Sequence, residues 1–150
     1  MFIFIIHFID ILLSGLLSGI MVCIWQRADY KTTSEISNLE IQKANMKTFD
    51  DKIPFLGLMT ALLSIVSAVL QNDILIIFIP LLIATILLIV SGIITMYGNQ
   101  PINKQIQRWT KDFIPGKWEF IRDRWLSFHI YRSILTLIAF ILIVFADLIK

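Results

Sequence analysis

Charge in this chain is confined to two short stretches, and nothing else in the sequence restricts its fold as much. Of 24 charged side chains in 150 residues, 10 fall in residues 26–53 and 9 in residues 99–126. The rest of the chain carries only Asp10, Asp73, Arg132, Asp147 and Lys150. Charged residues make up 16% of the whole, against about 25% in soluble domains. A helix needs about 20 apolar residues to cross a hydrocarbon core of about 30 Å. Four segments reach that length, at about residues 2–25, 53–71, 74–97 and 125–149. They are rich in Ile and Leu all round, without the period-two alternation of a membrane barrel strand. The sequence therefore predicts an all-α fold, a four-transmembrane-helix bundle forming a single membrane domain over 1–150. Only Gln71, Asn72 and Asp73 join the second and third segments, which must form an antiparallel hairpin.

Four crossings put segments 26–52 and 98–124 on one side. Arg27, Lys31, Lys43, Lys47 and Lys52 lie in the first, and Lys104, Arg108, Lys111, Lys117, Arg122 and Arg124 in the second, so 11 of the 13 basic residues share that side. By the positive-inside rule it is cytoplasmic, with both termini outside a plasma (inner) membrane crossed several times. Membrane lipid is the expected partner, since a basic face attracts anionic headgroups at about 1 kcal/mol per well-placed residue. Nothing in the pattern calls for nucleic acid. The first apolar run exceeds a signal peptide's core, has no preceding Lys or Arg and no A-x-A-like site after it, so it reads as a retained helix. The single cysteine, Cys23, excludes an intramolecular disulfide and a Cys-x-x-Cys redox pair. No internal repeat, glycine-rich phosphate loop, zinc motif or nucleophile elbow is present.

The charged segments have their own organisation. Thr32-x-x-Glu35 is a capping-box pattern and predicts a helix from about 33 to 49. On it Asn38, Gln42 and Asn45 form one stripe of amides, which reads either as a solvated face or as the mouth of a cavity. After the third span, Asn99-Gln100-Pro101-Ile102-Asn103 predicts a new helix, with Pro101 in its first turn and Asn99 capping the Ile102 N–H. Ile102, Ile106, Trp109 and Phe113 continue it as an amphipathic interfacial helix that Pro115-Gly116 ends.

From Lys117 onward nothing breaks the helical pattern, so the fourth helix is expected to begin below the membrane. Trp118, Arg122, Trp125, His129, Arg132 and Thr136 share one face of it at spacings of three and four. A packing seam made of Trp, Arg and His in place of Leu is unusual. Arg132 lies about 10 Å into the span, where insertion costs about 2.5–3.5 kcal/mol at full depth; it either snorkels to headgroups or points into the bundle. His129, one turn away, is either a hydrogen-bonded structural residue or a group that exchanges a proton near neutral pH. His7 and Asp10 sit toward the other end, too far along their helix for His7 and His129 to share a metal, and Asp10 is a possible partner for Arg132 across the core. Ser14, Gly15, Ser18 and Gly19 form small-xxx-small pairs for close helix contact, within the bundle or in a homo-oligomer.

With these positions laid out, the chain resembles the anthrone oxygenase-like family of small four-helix membrane proteins, most of them domains of unknown function. The resemblance rests on SGLLSG in the first helix, IQKANM with Gln42 and Asn45, NQPIN with Asn99, Pro101 and Asn103, and RDRWLSFHIYR with Arg124, Trp125, His129 and Arg132. It covers nearly the whole chain, although Gln26-Arg27 stand where relatives often carry a proline. It implies a cytoplasm-facing pocket at the Asn99–Asn103 turn and the start of the fourth helix. Some relatives oxidise polyketide anthrones to anthraquinones with dioxygen, without a metal or organic cofactor. On that footing the expected catalytic residues are His129, as base, and Arg132, as oxyanion donor with Asn99 and Asn103. The expected residues against a hydrophobic aromatic small molecule are Gln42, Asn45, Asn99, Asn103, Trp109, Arg124 and Trp125. The competing reading is a non-catalytic membrane binding or interaction subunit, or a small transporter that uses Asp10.

Overall fold

The computed structural model describes residues 2–28, 35–110 and 113–149. In chain order these form α1 (Phe2–Ala28), α2 (Glu35–Phe49), α3 (Lys52–Val69), α4 (Leu75–Ile94), a π-helical turn (Thr95–Asn99), α5 (Gln100–Gln107) and α6 (Trp118–Leu148). Four helical stretches are long and apolar enough to cross a membrane: Ile3–Arg27, Lys52–Val69, Leu75–Gln107 and Trp118–Leu148. The fold is the expected all-α bundle of a multi-pass membrane protein. Thr32 of the proposed capping box lies outside the described residues.

The packing is that of a bundle whose solvent is lipid. Large side chains such as Phe8, Leu16, Leu58, Ile76, Ile93 and Ile141 point outward. Small ones fill the interior: Ala61, Ser64, Ser67 and Ala68 on α3, Ala84 and Ser91 on α4, Ala139 and Ala146 on α6. Lipid tails leave helices no hydrophobic reason to associate, so close contact and interhelical hydrogen bonds hold them. The small pairs of α1 follow this rule within the bundle. Ser18 Oγ donates to the Thr136 carbonyl of α6 at 3.1 Å, and a methyl added at Gly15 would touch the Phe140 ring at 3.2 Å. Gly19 faces open space. The α3–α4 hairpin closes through Gln71 N–H to the Ala68 carbonyl at 3.2 Å and Ile74 N–H to Gln71 at 3.1 Å.

Two expectations fail at the charged end. The chain does not stop and restart at Asn99, because α4 widens into the π turn and runs on into α5. Asn99 has helical φ and ψ and makes no side-chain cap; its amide is committed to α6. A π turn takes up one extra residue without breaking the helix, and Pro101 then sits in the first turn of α5, where its missing N–H costs little. The amphipathic helix expected to reach Pro115 ends at Gln107. Trp109 folds inward, its carbonyl takes the Lys43 ammonium from α2, and Thr110 and Phe113 exchange backbone hydrogen bonds of 3.3 and 3.1 Å.

Candidate functional site

Helix α6 supplies the centre of the site. Its buried face carries Trp118, Trp125, His129, Arg132, Ser133 and Thr136, the face expected from spacing apart from Arg122. That arginine stacks on Trp118 at 4.8 Å and pairs with exposed Asp123 at 2.8 Å. His129 and Arg132 are both buried, so Arg132 does not snorkel. Its Nε and Nη2 donate to His129 Nδ1 at 3.1 and 2.8 Å, and Nη1 donates to Thr95 Oγ1 at 3.1 Å.

These partners define the imidazole's state. A guanidinium only donates and a carbonyl only accepts. His129 Nδ1 must therefore be the bare nitrogen, and Nε2 carries the proton that it donates to the Met21 carbonyl at 3.0 Å. The ring is also stacked flat on Trp125, with centroids 5.1 Å apart and planes 1° from parallel. Both nitrogens are occupied, so no lone pair is free to act as the expected base. His129 instead fixes the direction of a guanidinium. Among the described residues no carboxylate lies within 4 Å of Arg132, and Asp10, the partner considered above, is instead bonded to Ser64.

Arg132 faces a polar cavity of about 30 Å³, lined by Asn45, Met46, Phe49 and Asp50 of α2 and its end, Thr95 of the π turn, Asn103 of α5 and Trp125. That volume suits about one water molecule. Asp50 anchors the far wall: its carboxylate accepts from Asn103 Nδ2 at 2.5 Å and Gln107 Nε2 at 3.2 Å. Asn103 Oδ1 accepts in turn from Trp125 Nε1 at 2.7 Å. Asn99 Nδ2 donates to the Trp125 carbonyl at 3.0 Å, and its buried Oδ1 has no hydrogen-bond partner among the described residues.

A second, apolar cavity of about 350 Å³ adjoins the first and shares Ile53, Pro54 and Thr95 with it. Leu17 and Met21 of α1, Gly57, Leu58 and Ala61 of α3, and Leu88, Ile89, Gly92, Ile93 and Met96 of α4 and the π turn line it. Exposed Leu58, Ile89, Ile93 and Met96 form its edge, so it opens sideways between α3 and α4. Its size falls within the range of small-molecule sites.

The structure thus brings Asn45, Asn103, Trp125 and Arg132 to one cavity, with His129 and Asn99 directly behind. Gln42 is half-buried one turn along α2, with its Nε2 unbonded, and Trp109 contributes a backbone carbonyl to the α2–α5 contact. Arg124 is exposed over the Phe128 ring at 5.7 Å and takes no part in this cavity. The side chain of Asn38 lies outside the described residues. Asp50, Thr95 and the apolar cavity had not been singled out. Among the described residues no three His, Cys, Asp or Glu side chains gather as a metal site.

Comparison with curated proteins and with solved structures gives no match. The family model for anthrone oxygenase matches residues 46–142, from the end of α2 into the last turns of α6. It takes in Asp50, Thr95, Asn99, Asn103, Trp125, His129 and Arg132 and leaves out SGLLSG, Gln42 and Asn45. With more than half of its length matched, the chain belongs to the anthrone oxygenase family.

Proposed function

We propose that the protein is a membrane oxygenase for a hydrophobic aromatic substrate that ionises to a phenolate or enolate, as an anthrone does. One observation carries this reading. Arg132 is a buried cation with no carboxylate in direct contact among the described residues, held by His129 and Thr95 where a polar cavity, with Asp50 on its far side, meets an apolar one. A buried guanidinium separated from the Asp50 carboxylate by a cavity leaves room for an anionic oxygen of a ligand between the two. The apolar cavity accepts the rings, and the guanidinium meets the oxygen on which charge develops.

The base in this scheme is Asp50, across the polar cavity, its carboxylate oriented by Asn103 and Gln107. It removes a proton from the substrate's activated methylene, and the resulting anion, delocalised onto the oxygen at Arg132, reacts with dioxygen. A carbon–oxygen bond forms, and the peroxide takes up the proton from Asp50. Loss of the second methylene hydrogen, as a proton, and cleavage of the O–O bond leave a ketone and one water. Dioxygen is the oxidant, with one of its atoms in the ketone and the other in water. His129 is a positioning residue that acts through Arg132.

The test is oxygen uptake and quinone formation by the purified full-length protein given a simple anthrone, with autoxidation subtracted. Turnover above autoxidation is expected, with a loss of about 10²–10³-fold in Arg132→Gln, the usual cost of removing one oxyanion donor. His129→Ala is expected to lose turnover with its fold retained. Anthrone binding without turnover in the wild type would convert the reading to a non-catalytic binding subunit. Neither binding nor turnover would overturn it.

A further inference from the structure

The half of the bundle remote from Arg132 holds a second buried polar cluster that the oxygenase chemistry does not use. On α1, His7, Asp10 and Ser14 recur at helical spacing, beside Ser64 and Ser67 of antiparallel α3 and Gln71 of the turn that follows it, all of them buried. Ser64 Oγ donates to both carboxylate oxygens of Asp10, at 2.9 and 3.1 Å. The Gln71 amide bonds His7 Nε2, and His7 Nδ1 faces Asp147 Oδ1 of α6 at 4.0 Å. Asp147 is one-third exposed.

Two α3 hydroxyls, those of Ser64 and Ser67, are the side-chain groups that meet the Asp10 carboxyl, and a hydroxyl brings a hydrogen bond but no compensating charge. Among the described residues no Lys or Arg forms an ion pair with Asp10. The groups that meet its oxygens are the Ser64 and Ser67 hydroxyls of α3; His7 lies one helical turn along α1, and among the described residues the titratable group of α6 at this end is Asp147, which faces His7. A bare carboxylate here would be an unpaired charge in hydrocarbon. A proton on Asp10 removes that charge, and the neighbouring hydroxyl oxygens can accept it in a hydrogen bond.

We propose that Asp10 is a proton-binding site, filled at rest, that exchanges its proton with solvent at the C-terminal end of α6 through His7 and Asp147. The route stops at Asp10. Below it Ser14 donates to the Asp10 carbonyl at 2.7 Å and Ser18 to the Thr136 carbonyl, so these hydroxyls are committed to backbone and offer no onward path to Arg132. The site is a dead end opening on one side, and it stands whether or not the protein is an oxygenase.

Infrared difference spectroscopy on the full-length protein in lipid tests this directly. The wild type should show the stretching band of a protonated carboxyl group at neutral pH, shifted by exchange into deuterated water and absent in Asp10→Asn. Ser64→Ala, which keeps the carboxyl, should move the band's frequency, so the assignment does not depend on one variant folding. His7→Leu should slow the deuterium shift by about tenfold or more, through loss of the relay. Absence of the band in wild-type protein would overturn the proposal. So would unchanged exchange in His7→Leu, or a band that appears only when choline replaces sodium, which would make the resident ion an alkali cation.

Discussion

Gly98 shows how tightly the π turn is pressed against α6. A methyl group built on its Cα would lie 2.8 Å from Phe128 Cγ and 3.0–3.1 Å from both neighbouring ring carbons. Contact this close to the ring's root leaves Phe128 little room to move aside. Gly98→Ala should therefore destabilise the protein by about 1–3 kcal/mol, the usual cost of overpacking. Thermal unfolding in detergent would measure the loss, and adding Phe128→Leu should restore much of it because the two sites share one contact. If Gly98→Ala alone has no effect, the turn is looser than its geometry indicates. At this scale the sequence was informative where polarity was out of place: Trp125, His129, Arg132, Asn99 and Asn103 stood out because lipid-embedded helices seldom carry them. Asp50 and Thr95 did not. Asp50 belongs to a charged segment in which any acid looks solvated, and Thr95 looks like an ordinary membrane threonine until Arg132 is seen to bond it. His129 drew attention for the right reason, but only the paired contacts to Arg132 and Met21 reveal that its ring is already fully engaged.

The contacts that hold helix α2 over the polar cavity include buried Leu39 and Met46, the Asp50 bonds to α5, and the Lys43 ammonium on the Trp109 carbonyl. A charge-assisted bond to a backbone carbonyl contributes roughly 1.5–3 kcal/mol. Lys43→Met should leave the membrane helices unchanged while speeding amide hydrogen exchange in Glu35–Phe49 several-fold. Equal protection in the variant would mean that the Lys43 bond contributes nothing to holding this helix. The existence of four helices long and apolar enough to cross a membrane could be read, since uninterrupted apolar length is a direct consequence of bilayer thickness. The connections could not. Proline after Asn99 signals a helix start equally well for a new helix and for the continuation beyond a π turn. The early end of α5 depends on Trp109 meeting Lys43, a contact 66 residues apart in the chain.

For the molecule as a whole, both charged segments lie at the end of the bundle that holds Arg132, while Gln71 and Asp147 mark the other. The basic excess at the first end predicts that it is cytoplasmic. In a Cys23→Ser background, Asp73→Cys should react with a membrane-impermeant maleimide on intact cells, whereas Lys47→Cys should react only after lysis. The reverse pattern would invert the proposed orientation and with it the sides on which the two buried polar sites open.

The sideways mouth between α3 and α4 also decides which phase the protein samples. A ligand that enters between Leu58 and Ile93 has already left water before it reaches Thr95 and Arg132, so occupancy follows its mole fraction in the bilayer and not its aqueous molarity. For a sparingly soluble aromatic compound the membrane is then the reservoir. On the function proposed above, any enzyme that releases such a compound into the same leaflet would supply this protein by two-dimensional diffusion, without an aqueous step between them.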